Sequence, residues 1–112
     1  MKGAARRGEL WTVAGGVYSA KPRPAVIVQD DLFAGTLSVT IVPLTTAVTD
    51  APISRVAIPS DATTKIDVPS FAMVDKITTV RRSNLGTRVG RVPSVLMSDI
   101  ERSIMVFLGL AS

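Results

Sequence analysis

The sequence predicts a small, mostly β domain, predominantly antiparallel and closing into a partial barrel, with one α-helix at its C-terminal end. Three observations carry this. Short apolar runs rich in β-branched residues are separated by Gly, Pro and polar turns. Helical periodicity occurs in a single stretch, near residue 100. The chain has 112 residues, enough for one core and too few for a second, so residues 1–112 read as a single domain.

The elements follow in order. Arg7 to Ala14 reads as a first strand, with Leu10 and Thr12 on one face and Trp11 and Val13 on the other. Gly15 to Pro22 is a loop, broken by paired glycines and a proline. Ala25-Val26-Ile27-Val28 is apolar throughout, as in a strand covered on both faces. Asp30 to Gly35 forms a turn. Leu37 to Leu44 alternates and then runs apolar, with Pro43 expected to end pairing or sit at an edge. Thr45 to Pro52 is a polar loop, Ser54 to Pro59 a short strand, and Ser60 to Ile66 a surface turn. Ser70 to Val80 is a long strand region, broken near Asp75, and Arg81 to Arg91 is a basic loop. Met97, Ile100, Ile104, Phe107 and Leu108 then make one apolar helical stripe. Ser94 starts that helix, or Ser98 with Glu101 caps it, and Gly109 stops it.

Composition excludes several chemistries. There is no cysteine, hence no disulfide or thiolate metal site, and no histidine, hence no imidazole proton shuttle. Thirteen Lys+Arg against nine Asp+Glu give a net charge of +4, which favours a polyanionic partner without naming one. The apolar runs fall short of a membrane span and no signal-like core follows the basic start, so a cytoplasmic protein with no membrane partner is expected.

Three places break the pattern. Arg23 stands between Pro22 and Pro24, which hold its backbone extended at a strand entrance. Its planar, permanently charged guanidinium either meets a phosphate or pairs with Asp30, Asp31 or Glu9. Thr45 and Thr46 follow an apolar strand and either donate to a phosphate oxygen or cap a turn. Asp75-Lys76 puts charge inside an apolar stretch, either at a functional position or at a bulge. Arg81, Arg82, Arg88 and Arg91 either line a nucleic-acid rim or are solvated charges. Aromatic stacking platforms are scarce, with Tyr18 alone in a loop free to stack, which disfavours an OB-type binder.

The order of these blocks is more specific than any one of them. Arg7-Gly8-Glu9-Leu10-Trp11, Arg23-Pro24-Ala25-Val26-Ile27-Val28-Gln29-Asp30-Asp31, Val42-Pro43-Leu44-Thr45-Thr46 and Val74-Asp75-Lys76-Ile77 together resemble the MazF/PemK (Kid-type) toxins of bacterial toxin–antitoxin modules. The resemblance implies an SH3-like barrel with a terminal helix, a homodimer, and a metal-independent endoribonuclease without cofactor. It implies cleavage of single-stranded RNA and control by a cognate antitoxin. By the same resemblance Arg23 and Thr45 are the catalytic pair. Glu9, Tyr18, Lys21, Thr46, Asp75, Lys76, Arg81 and Arg82 are candidate substrate contacts.

The chain departs from the family pattern in places. Its Gly15–Pro22 loop is shorter and lacks the Glu-Gln common there, Lys76 stands where many relatives carry Gln, and Asn84 replaces a common arginine. Two other readings share the fold. One is a CcdB-type toxin that binds a topoisomerase, which depends on a terminal Trp-Gly-Ile where this chain ends Gly109-Leu110-Ala111-Ser112. The other is a catalytically inert RNA-binding barrel.

Overall fold

A computed structural model describes residues 5–14, 22–48 and 54–112. Among the described residues, seven strands and one α-helix form, with short 3-10 turns between some of them: β1 (Glu9–Val13), β2 (Arg23–Ile27), β3 (Ser38–Thr45), β4 (Arg55–Ile58), β5 (Ser70–Met73), β6 (Thr78–Arg81), β7 (Leu85–Arg91) and α1 (Ser94–Phe107). All pairings are antiparallel, in the order β4-β5-β3-β2-β1-β7. β6 joins β3 outside that path.

β3 organises the sheet because its two halves have different neighbours. One edge pairs with β2. The other pairs with β6 over Ser38–Ile41 and then with β5 at Leu44 and Thr45. Pro43 falls between those two ladders, where its missing N–H interrupts neither. The expectation that Pro43 ends pairing is therefore corrected. The strand runs on to Thr45, and the proline marks a change of partner.

The central strands bury both faces. Leu10, Val26, Val42 and Leu44 face one core with Ile58, Ala72 and Val74. Trp11, Ala25, Ile27, Val39 and Ile41 face a second core with Leu85. This explains why Ala25–Val28 is apolar without alternation. α1 covers the first core with Met97 and Ile100, while Leu96 and Ile104 pack at its margin. Phe107 and Leu108 stay half exposed. The helix has 14 residues and runs about 21 Å, and its C-terminal end is the part left half exposed.

Two expectations fail at loops. Arg81–Arg91 is not a basic loop: it holds the end of β6, a three-residue 3-10 turn and the whole of β7. Ser60–Ile66 is not merely a surface turn, since Thr64 and Ile66 are buried. The break near Asp75 is confirmed as a 3-10 turn, Val74–Lys76. Ser98 and Glu101 form no capping box. Ser98 donates back to the Ser94 carbonyl at 3.2 Å, and Glu101 pairs with Arg7 at 2.6 Å.

Candidate active site

β2 and β3 leave their shared ladder at Ala25↔Pro43. Continuing that antiparallel register by two residues sets Arg23 opposite Thr45, on the same face of the sheet. A cleft of about 180 Å³ opens there. Its polar lining is Arg23, Thr45, Thr46, Asp67 and Ser70, and its apolar lining is Pro24, Leu44, Ile66 and Val68. Two groups separated by 22 positions thus share one wall because the register brings them level.

Arg23 is exposed, and its side chain makes no hydrogen bond or ion pair among the described residues. The acids expected to claim it are engaged elsewhere. Glu9 pairs with Arg88 at 2.9 Å, Asp31 accepts the Arg7 N–H at 2.8 Å, and Asp30 accepts the Leu32 N–H at 2.9 Å. Thr45 caps a turn, its hydroxyl oxygen accepting the Ala47 N–H at 3.1 Å. A hydroxyl that accepts one bond still has its own O–H to give. Turn capping and donation to a substrate are therefore compatible at Thr45.

The remaining candidates separate. Glu9 stands four residues from Val13, the partner of Arg23, roughly 13 Å along β1. Its carboxylate accepts from the Arg6 N–H at 2.8 Å and the Trp11 indole at 3.1 Å. Burial pushes the Glu9 pKa up, yet those donors and Arg88 outweigh it and hold the group below its usual value. Glu9 ties the N-terminal segment to β1 and β7 and does not line the cleft.

Asp75 is gripped by Arg55 through Nε to Oδ1 at 2.8 Å and Nη2 to Oδ2 at 3.1 Å. Those hydrogen bonds, against the upward push of burial and with added charge attraction from Arg55 and Lys76, lower its pKa. Lys76 is exposed on the same turn, outside the cleft. Arg81 pairs with Ser38 at the opposite end of β3 from Thr45, roughly 23 Å away along the strand. Arg82 donates to the carbonyls of Thr36 and Phe33, fixing that turn. Tyr18 and Lys21 lie outside the described residues.

The sequence reading missed the wall that lies outside β2 and β3: Ile66, Asp67, Val68 and Ser70. Its signal was present in Ile66-Asp67-Val68-Pro69, a charge between apolar residues just before a strand. Among the described residues no group of three or more acidic side chains is placed to hold a metal ion.

Residues 6–108 match the family model described as PemK-like, MazF-like toxin of type II toxin-antitoxin system. The chain is 49% identical over 107 residues to a Mycolicibacterium smegmatis protein named "Probable endoribonuclease MazF", covering 95% of this chain and 98% of that one. It superposes with a TM-score of 0.81 on a mycobacterial endoribonuclease solved in complex with its cognate antitoxin, at 25% identity over 97% of this chain and 99% of that one. The Mycobacterium tuberculosis toxin MazF-mt6 shares the fold, with a TM-score of 0.78 at 21% identity over 95% and 100% of the two chains. Fold and cleft together fit a small nucleic-acid-cutting toxin. The chain belongs to the PemK-like, MazF-like toxin family of type II toxin–antitoxin systems.

Proposed function

We propose that this chain is an endoribonuclease toxin that cuts single-stranded RNA without a metal ion, using the RNA's own 2′-hydroxyl as nucleophile. The observation that carries the reading is the meeting of an unpartnered Arg23 with Thr45 in one cleft. The 2′-oxygen loses its proton and attacks phosphorus, and the P–O5′ bond breaks. The 5′-oxygen takes up a proton and leaves, giving a 2′,3′-cyclic phosphate and a 5′-hydroxyl. Negative charge grows on the non-bridging oxygens along this path. Preorganised donors aimed at them supply much of such catalysis.

Arg23 supplies a fixed fork of N–H groups and Thr45 an O–H donor, while Thr46 lines the same wall. The topoisomerase-binding alternative is not favoured, because the family match and the relative named as an endoribonuclease both point to RNA cleavage. The solved relative bound to its antitoxin supports a cognate antitoxin as partner here. A homodimer in the cytoplasm completes the proposed state. No described helix is long and apolar enough to cross a membrane.

The test is incubation of the purified protein with a long RNA in EDTA, followed by end-group analysis. The expected fragments carry cyclic phosphate and 5′-hydroxyl ends, and a 2′-deoxy substitution at the cut nucleotide abolishes cleavage there. Cleavage that persists at the 2′-deoxy position rules out the proposed attack.

A further inference from the structure

We infer that Asp67 reads a base of the bound RNA, its carboxylate accepting the exocyclic amino group of a base beside the scissile phosphate and discriminating against uracil. This rests on the endoribonuclease reading and deepens it by naming what part of the substrate the second wall contacts.

A carboxylate is out of place in a cleft built for a phosphodiester unless the ligand gives it a hydrogen. Asp67 lines the cleft with Arg23 and Thr45, yet it is exposed and forms no ion pair or hydrogen bond among the described residues. It is therefore not spent on orienting Arg23. An ionised carboxylate only accepts, so what it adds to RNA binding must come from substrate N–H or O–H groups.

The segment that carries Asp67 is firmly built. Asp61 Oδ1 accepts the N–H groups of Thr63 and Thr64, each at 2.8 Å. The buried Thr64 hydroxyl donates to the Pro59 carbonyl at 2.6 Å, and Ser60 donates to the Ile66 carbonyl at 2.6 Å. Arg91 of β7 donates its N–H to the Thr63 carbonyl at 3.1 Å. Ile66 is 5% exposed and anchors the arm in the core, so its neighbour is held outward in place. A group presented by such an arm is preorganised for a defined contact.

The surroundings favour a base over the ribose. Val68, beside Asp67, is 53% exposed in the cleft, and the partly exposed Pro24 adds apolar wall. Apolar surface suits the face of an unstacked base whose edge meets the carboxylate. Adenine, cytosine and guanine each present an amino group. Uracil presents carbonyl oxygens on both sides of its one N–H, and these repel a carboxylate.

The experiment uses short RNAs with one cut site, each base placed in turn at the flanking positions, with wild type and Asp67→Asn compared in single-turnover cleavage. Asn offers an N–H as well as a carbonyl and so accommodates uracil. Wild type is expected to prefer an amino-bearing base over uracil by about tenfold at one flanking position. Asp67→Asn, with an unchanged melting temperature, is expected to lose that ratio there and nowhere else. An unchanged motif in the variant, or an equal rate loss with all four bases, overturns the inference. Binding of the same oligonucleotides with a 2′-deoxy cut site separates it from the nuclease reading. Asp67-dependent base preference in a protein that cuts nothing upholds the inference and sinks the nuclease. Cleavage with an Asp67-independent motif sinks the inference alone, and neither binding nor cleavage sinks both.

Discussion

Arg23 and Asp75 show how differently two charged residues can be used. Arg23 is exposed and without a described partner, so removing it costs the fold little. Arg23→Ala should melt within a few degrees of wild type and cut RNA at least about a hundredfold more slowly. Arg23→Lys should recover little, since an ammonium lacks the planar fork. Asp75 is the reverse. Its pair with Arg55 is mostly buried, with the arginine side chain 13% and the aspartate 28% exposed. Asp75→Asn should cost about 1–2 kcal/mol of stability at pH 7, read by denaturant melts, with a smaller effect on cleavage rate. The Asp75 pKa lies below its usual value of 3.8. The stabilisation is therefore complete above that pH and is lost as pH falls through the lower folded value, so variant and wild type should converge in acid. The residue pattern alone singled out both and left their roles open, and the resemblance made Arg23 catalytic and Asp75 a candidate substrate contact. Whether a charge meets a partner depends on chain segments far away, such as Arg55 for Asp75.

At the level of elements, β3 was legible and β7 was not. The apolar run from Ile41 to Leu44 declares a central strand, and the threonines after it mark its end. In β7 the glycines at 86 and 90 and the arginines at 88 and 91 mimic a basic loop. The structure gives Gly90 another purpose. A Cβ there would lie 2.1 Å from the Thr64 carbonyl oxygen, so the glycine lets the Asp67 arm cross β7 in close contact. Gly90→Ala should destabilise the protein by more than about 2 kcal/mol in thermal or urea melts. Because the arm carries one wall of the cleft, cleavage by the folded fraction should fall as well. A variant as stable and active as wild type would show that this contact is unimportant. The arm escaped the sequence reading because its order comes from side chains bonding to its own backbone, which leaves no periodic trace.

For the whole molecule, the charge of +4 and an RNA partner predict binding that weakens steeply with salt, measurable as the slope of log affinity against log salt. The proposed homodimer predicts a solution mass near twice 11.8 kDa in sedimentation, whereas a monomer mass at all concentrations contradicts it. The fold class was readable because both cores announce themselves in apolar runs. The cleft was half readable: the β2–β3 wall lies in the ladder register, and the other wall depends on how a loop returns across β7.

The central claim, that Arg23 and Thr45 act together on one phosphate, is tested most directly by single-turnover RNA cleavage with Arg23→Ala, Thr45→Val and the double variant, each checked for folding. Groups serving one transition state are not additive, so the double variant should be little slower than the slower single. Single variants that cut at the wild-type rate, or losses that simply multiply, would contradict a shared role.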